Sequence, residues 1–268
     1  MRRFETVHKS DHHQLRAVLT NQEPLQPVVD KVLADLNAQC DLPPMQYSID
    51  WKNMSSDTLA YTYTYYWPTT AAWIPANEFE VYFNPRVLWW NGSCIQQPRH
   101  HFDLYTAVMH EVLHGVGFLS TIDANKRSFP TNYDVLLKDA GGSKLVSSHG
   151  TFHGQFGQSV YIRNIKIFNP SAFLPGSSLS HVDSSSKLMS WAQTNCQQYL
   201  DYSTKLILNE IGIDCNVSST RTGRTDSSSA FIGVGAAIFV VIAIIAGVMA
   251  CKGNKGRKKR PLKEPLLT

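Results

Sequence analysis

The segment His110-Glu111-Val112-Leu113-His114-Gly115-Val116-Gly117-Phe118 reads H-E-x-x-H-G-x-G-F. Side chains four apart share one face of a helix, so His110 and His114 can offer two imidazoles to one zinc ion, with Glu111 beside the position that the protein leaves open. A carboxylate base next to a metal-held water is an arrangement suited to hydrolysis. Leu104, Val108 and Val112 recur at helical spacing, which places the pattern on a helix, an amphipathic one starting near Asp103, for an independent reason. Gly115 and Gly117 are expected to end that helix, because glycine lets the chain turn sharply away.

A hydrolytic zinc takes three protein ligands and keeps its fourth position for water. In compact metzincins the third ligand follows as H-E-x-x-H-x-x-G-x-x-H, but here that last position is Ser120. The candidates further on are Asp134, Asp139, His149, His153, His181 and Glu210. Glu210 fits least, lying in a late apolar helix pattern from Tyr199 to Ile213. Asp134 reads either as a partner behind the ligands or, the favoured reading, as a surface acid, and His149 and His153 as residues of a Gly/Ser/His-rich loop. His181 stands out for its setting, Pro175-Gly176-Ser177-Ser178-Leu179-Ser180-His181-Val182-Asp183, followed by Lys187-Leu188-Met189-Ser190. Asp183, two residues after His181, is the less favoured candidate for orienting a ligand imidazole through its second ring nitrogen.

From about Phe79 to Gly212 the chain resembles the metzincin zinc peptidases of the leishmanolysin-like type, which carry a long insertion before the third histidine, a GSS-x-SH segment and a Leu-Met turn. The resemblance implies His110, His114 and His181 as Zn2+ ligands, Glu111 as general base and Met189 as the turn methionine under the metal. It implies an α+β, zincin/metzincin-like fold: an N-terminal helix plus a twisted mixed sheet with the active-site helix, then an irregular C-terminal subdomain ending in a helix. The expected function is that of a zinc-dependent metalloendopeptidase acting on a protein or peptide substrate. The alternative is a catalytically inactive zincin-fold membrane adhesion protein.

The remaining organisation follows from composition. Residues 1–217 are long enough for one catalytic domain, and 218–229 read as a Ser/Thr-rich stalk. Residues 230–251 carry no charged or strongly polar side chain, so a single transmembrane helix is expected there, with membrane lipid as its partner. Residues 252–268 hold seven bases against one acid. Removing them from totals of 25 and 21 leaves 18 bases and 20 acids, so the net positive charge belongs to the tail and no nucleic-acid partner is expected. The basic run predicts a cytoplasmic tail and an outward-facing catalytic domain. The start of the chain shows no apolar signal stretch, which leaves either a start further upstream or anchoring by the tail. Cys40, Cys94, Cys196 and Cys215, compatible with two disulfides, and sequons at Asn53, Asn91 and Asn216 favour the outward-facing, glycosylated arrangement.

Coarser elements complete the reading. Pro27 opens a helix with Val28, Val29, Val32, Leu33 and Leu36 on one face. Strands are expected at Tyr47–Trp51, Leu59–Tyr65 and Phe79–Asn84; the resemblance implies an edge strand near the cleft that pairs with an extended substrate, and Phe79–Asn84 is either that strand or an ordinary strand of the sheet. Tyr133–Leu137 is turn-like, Tyr161–Phe168 strand-like, and Asp201–Ile211 a helix stopped by Gly212.

Overall fold

A computed structural model describes residues 25–55, 58–69, 72–192, 196–217 and 247–248. Helix α1, Leu25–Asn37, buries Leu25, Val28, Val29, Val32 and Leu36, the 3.6-residue stripe that its sequence carries. Strands β1 (Gln46–Trp51), β2 (Ala60–Pro68) and β3 (Trp73–Phe83) follow. β3 lies between the other two, parallel to β1 and antiparallel to β2, and the two-residue strands β4 (Trp89–Trp90) and β5 (Phe102–Asp103) form a separate parallel pair. Helix α2, Leu104–Gly115, packs on β2 and β3 with α1 alongside.

The register explains which side chains meet α2. Tyr47, Phe79 and Thr64 form one rung across the three strands, and Ile49, Val81 and Thr62 form the next. Because strand side chains alternate between faces, these rungs line the core, where Phe79, Val81 and Phe83 are fully buried. Each such burial contributes roughly 1.5–3 kcal/mol. The tyrosines of β2 at 61, 63 and 65 take the opposite face. There the Tyr65 and Tyr82 hydroxyls donate to Glu80, and Lys52 lies over the Tyr61 and Tyr82 rings.

Past Leu119 regular structure thins out. A single 3-10 turn, Asp134–Leu136, fills the turn-like stretch. The expected strand at 161–168 is instead a small hairpin of β6 (Val160–Ile162) and β7 (Ile165–Ile167), folded at Arg163 with φ 53°. Helix α3, Tyr202–Glu210, starts at its N-cap Asp201 and is followed by Gly212 at φ +100°. Disulfides join Cys40 to Cys215 and Cys94 to Cys196, so the last described turn of the domain is tied back to the end of α1.

Three expectations are corrected. β3 is interior to the sheet, so Phe79–Asn84 has no free edge for a substrate. It also extends back to Trp73 through Pro75 and the left-handed Asn77, which break the alternation in sequence, while a register shift at Thr64/Tyr66 in β2 absorbs the mismatch. The fold class that included a single transmembrane helix is likewise overturned. No helix among the described residues is long and apolar enough to cross a membrane, and Gly247–Val248, inside the expected span, form a short strand β8 beside Tyr65–Tyr66 of β2. The rest of 230–251, the expected stalk and the basic tail lie outside the described residues, as do residues 1–24.

Candidate metal centre

The Asp103 side chain caps α2 by accepting from the Thr106 backbone N–H at 2.7 Å. Such a cap satisfies a donor that the first turn would otherwise leave unpaired. All twelve residues of α2 are buried, so the helix is enclosed on every side, whereas its sequence reads as amphipathic. Gly115 is its last residue. A Cβ there would sit 2.5 Å from the Phe79 ring, so this glycine serves close helix–sheet approach. The turn away from the helix falls to Gly117, at φ +111°.

His110 and His114 project from successive turns of α2, and His181 arrives from the irregular half. Each imidazole is held from behind by a main-chain carbonyl. His110 Nδ1 lies 2.8 Å from Leu188 O, His114 Nδ1 2.6 Å from Phe118 O, and His181 Nδ1 2.9 Å from Ser177 O. A carbonyl oxygen only accepts, so each Nδ1 carries the proton and each Nε2 presents a lone pair. Those three Nε2 atoms face one another at 2.9, 3.1 and 3.3 Å.

Three lone pairs so close, with no proton among them, repel unless a cation lies between them. Ligands at 2.0–2.1 Å in a tetrahedral shell stand about 3.3 Å apart, close to the spacing here. Burial pushes the His110 imidazole down to about 4 and His181 to about 3, and holds His114 well below the usual range, the adjacent imidazoles adding to the effect on His114 and His181. All three are therefore neutral near pH 7, as ligation requires. His110, His114 and His181 form a cluster that can hold a metal ion.

Glu111 is 1% exposed. Burial raises its carboxyl to about 8, opposed by the hydrogen bond from Thr62. Thr62 Oγ1 donates to Glu111 Oε2 at 2.6 Å, and two residues along the same face of β2 Thr64 Oγ1 donates to His114 O at 3.1 Å. Sequence reasoning missed both threonines. The signal was present in Tyr61-Thr62-Tyr63-Thr64-Tyr65, since strict alternation puts the two hydroxyls together on the face opposite the tyrosines.

Met189 is fully buried, and its carbonyl accepts the Val182 N–H at 2.7 Å, which ties it to the segment carrying His181. The other candidates stand apart from the cluster. Asp183 is paired with Lys166 at 2.7 Å rather than with an imidazole, and Glu210 is paired with Arg163. His149 and His153 are exposed, and Asp139 caps a turn through Gly141 and Ser143. Asp134 is fully buried instead of lying on the surface, its Oδ2 accepting from the Thr121 backbone and hydroxyl. No protein-family model, no curated protein and no solved structure matches this chain.

Proposed function

We propose that this chain is a zinc-dependent metalloendopeptidase, with His110, His114 and His181 as the metal ligands and Glu111 as the general base. The observation that carries the reading is the convergence of three neutral imidazole lone pairs next to one buried carboxylate. The donor set fits zinc, which takes imidazole nitrogens at a three-ligand site when it is hydrolytic. When bound there, zinc supplies Lewis acidity that makes water a competent nucleophile near neutral pH and polarises a carbonyl.

The rest falls to the chain's own residues. Thr62 fixes Glu111 Oε2, so the carboxylate has one orientation, and Oε1 is the oxygen that takes a proton from the attacking water and returns it to the departing amine. A carboxyl raised to about 8 by burial has the proton affinity for that exchange near neutrality, and a cation at the imidazoles would draw it back towards its ordinary range. The carbonyls of Leu188, Phe118 and Ser177 keep the three rings turned with Nε2 inward, so that no rotation is needed for ligation. Met189, buried and bonded through its carbonyl to Val182 N–H next to His181, is the turn methionine of this reading.

The disulfides Cys40–Cys215 and Cys94–Cys196, and the exposure of Asn53, Asn91 and Asn216, support work in an oxidising compartment outside the cytosol. A fluorogenic peptide assay tests the activity. Cleavage should cease with a chelator and return with zinc, and Glu111→Gln should keep the metal while losing about 10²–10⁴-fold in rate. Full cleavage by purified Glu111→Gln, or metal binding with no turnover of any peptide in the wild type, would contradict it.

A further inference from the structure

Beyond the ligands themselves, one short strap reaches both parts of the centre. It runs from Cys196 to Asp201 and is pinned at its start by the Cys94–Cys196 disulfide. Gln197 N donates to Thr106 Oγ1 at 2.8 Å, and Gln198 Nε2 donates to Asp103 Oδ2 at 2.9 Å, so the strap grips the N-terminal cap of α2. At its other end Asp201, 5% exposed, turns one oxygen each way. Oδ1 accepts from the Ser203 and Thr204 backbone N–H groups and caps α3. Oδ2 accepts from Leu188 N at 3.1 Å, Gln197 Nε2 at 3.2 Å and Thr204 Oγ1 at 2.8 Å. Leu188 is the residue whose carbonyl receives His110 Nδ1–H.

We propose that Asp201 is a positioning residue for His110, acting through the Leu188 backbone, and that the Cys196–Asp201 strap thereby couples the cap of α2 to the turn that orients its first ligand. The inference rests on the reading of His110 as a metal ligand. Asp201 Oδ2 meets three donors among the described residues, an arrangement that suits an acceptor-only group. A carboxylate fixing Leu188 N–H restrains the one residue that sets the His110 ring plane and tautomer. Groups that hold a ligating histidine from behind change metal affinity by about 10–100-fold when removed.

Asp201→Asn separates this role from capping. Asparagine caps helices about as well as aspartate, and its carbonyl oxygen can keep the Ser203 and Thr204 bonds. Its amide group then points two donors at the Leu188 N–H. The expected result is zinc affinity reduced by about tenfold or more, an altered d–d absorption spectrum after Co2+ substitution, and faster solvent exchange of the His110 Nδ1 proton in metal-free protein. Leu206→Ala is the control, because it loosens α3 without touching Asp201 and should lower Tm while leaving all three readouts at wild-type values. Asp201→Asn matching wild type in zinc affinity and Co2+ spectrum overturns the proposal, as does Leu206→Ala reproducing the Asp201→Asn changes. None of these readouts requires turnover. A wild type that binds zinc but cleaves nothing therefore sinks the peptidase reading alone, and one that binds no zinc sinks both.

Discussion

Two halves of the molecule meet at the three-histidine cluster and hold their contributions differently. Residues 25–119 place His110, Glu111 and His114 on one helix, supported by ladder-bonded strands whose register sets which side chains face it. Residues 120–217 place His181 with little regular structure. Its segment is held by the main-chain bonds of Leu179 N to Phe168 O, Phe168 N to His181 O and Val182 N to Met189 O, and by the Ser180 hydroxyl accepting from Ser120 N. A helix fixes two ligands four residues apart by its own geometry. A third ligand that must come from another direction needs a chain free to bend, and that freedom is removed afterwards, bond by bond.

The contrast can be broken from the regular side first. Gly115→Ala drives a Cβ to within 2.5 Å of the buried Phe79 ring, and the ring, itself fixed between strands, has nowhere to retreat. Denaturant melts should record a loss of about 3 kcal/mol, with the helix pushed off the sheet and both of its ligands displaced together. Wild-type stability in Gly115→Ala would mean that α2 and β3 do not approach as described. A smaller and more local effect is expected at Thr62. Thr62→Val keeps the shape of the strand and removes the hydrogen bond to Glu111 Oε2, so peptide cleavage should fall by about tenfold, the value of one charge-assisted hydrogen bond, while zinc content stays full. The same substitution should raise the pH at which activity appears. Thr62 lowers the Glu111 pKa, so without it the carboxyl stays protonated to higher pH. An unchanged pH profile would separate Thr62 from the base.

How much of this was legible in the chain follows the same division. The periodicity of Val28, Val29, Val32 and Leu36, the tyrosine-threonine alternation of β2 and the H-E-x-x-H spacing are local patterns, and each element formed where its pattern lies. The interior position of β3 was not legible, because strand order depends on pairing between distant segments, and alternation looks the same in an edge strand and a central one. The roles of the two glycines after His114 were also hidden. Gly115 is required by a ring 36 positions away in sequence, which no local rule can show. Asp134 was misread for a related reason: an acid is buried where hydroxyl and backbone donors gather round it, and here Thr121 brings both to its Oδ2 by tertiary folding. The His181 setting, with its serines and nearby Leu-Met, marked the residue, but the carbonyls that orient all three rings belong to the backbone and leave no trace in residue type.

X-ray absorption on zinc-loaded wild-type protein and on His181→Ala, with metal content measured on both, bears most directly on the centre itself. A three-histidine zinc site predicts one zinc per chain with three imidazole nitrogens at about 2.0–2.1 Å in the wild type, and in His181→Ala one imidazole fewer with affinity lowered by more than about 100-fold, beyond the effect of losing an outer partner. An unchanged imidazole count and undiminished affinity in His181→Ala would contradict it.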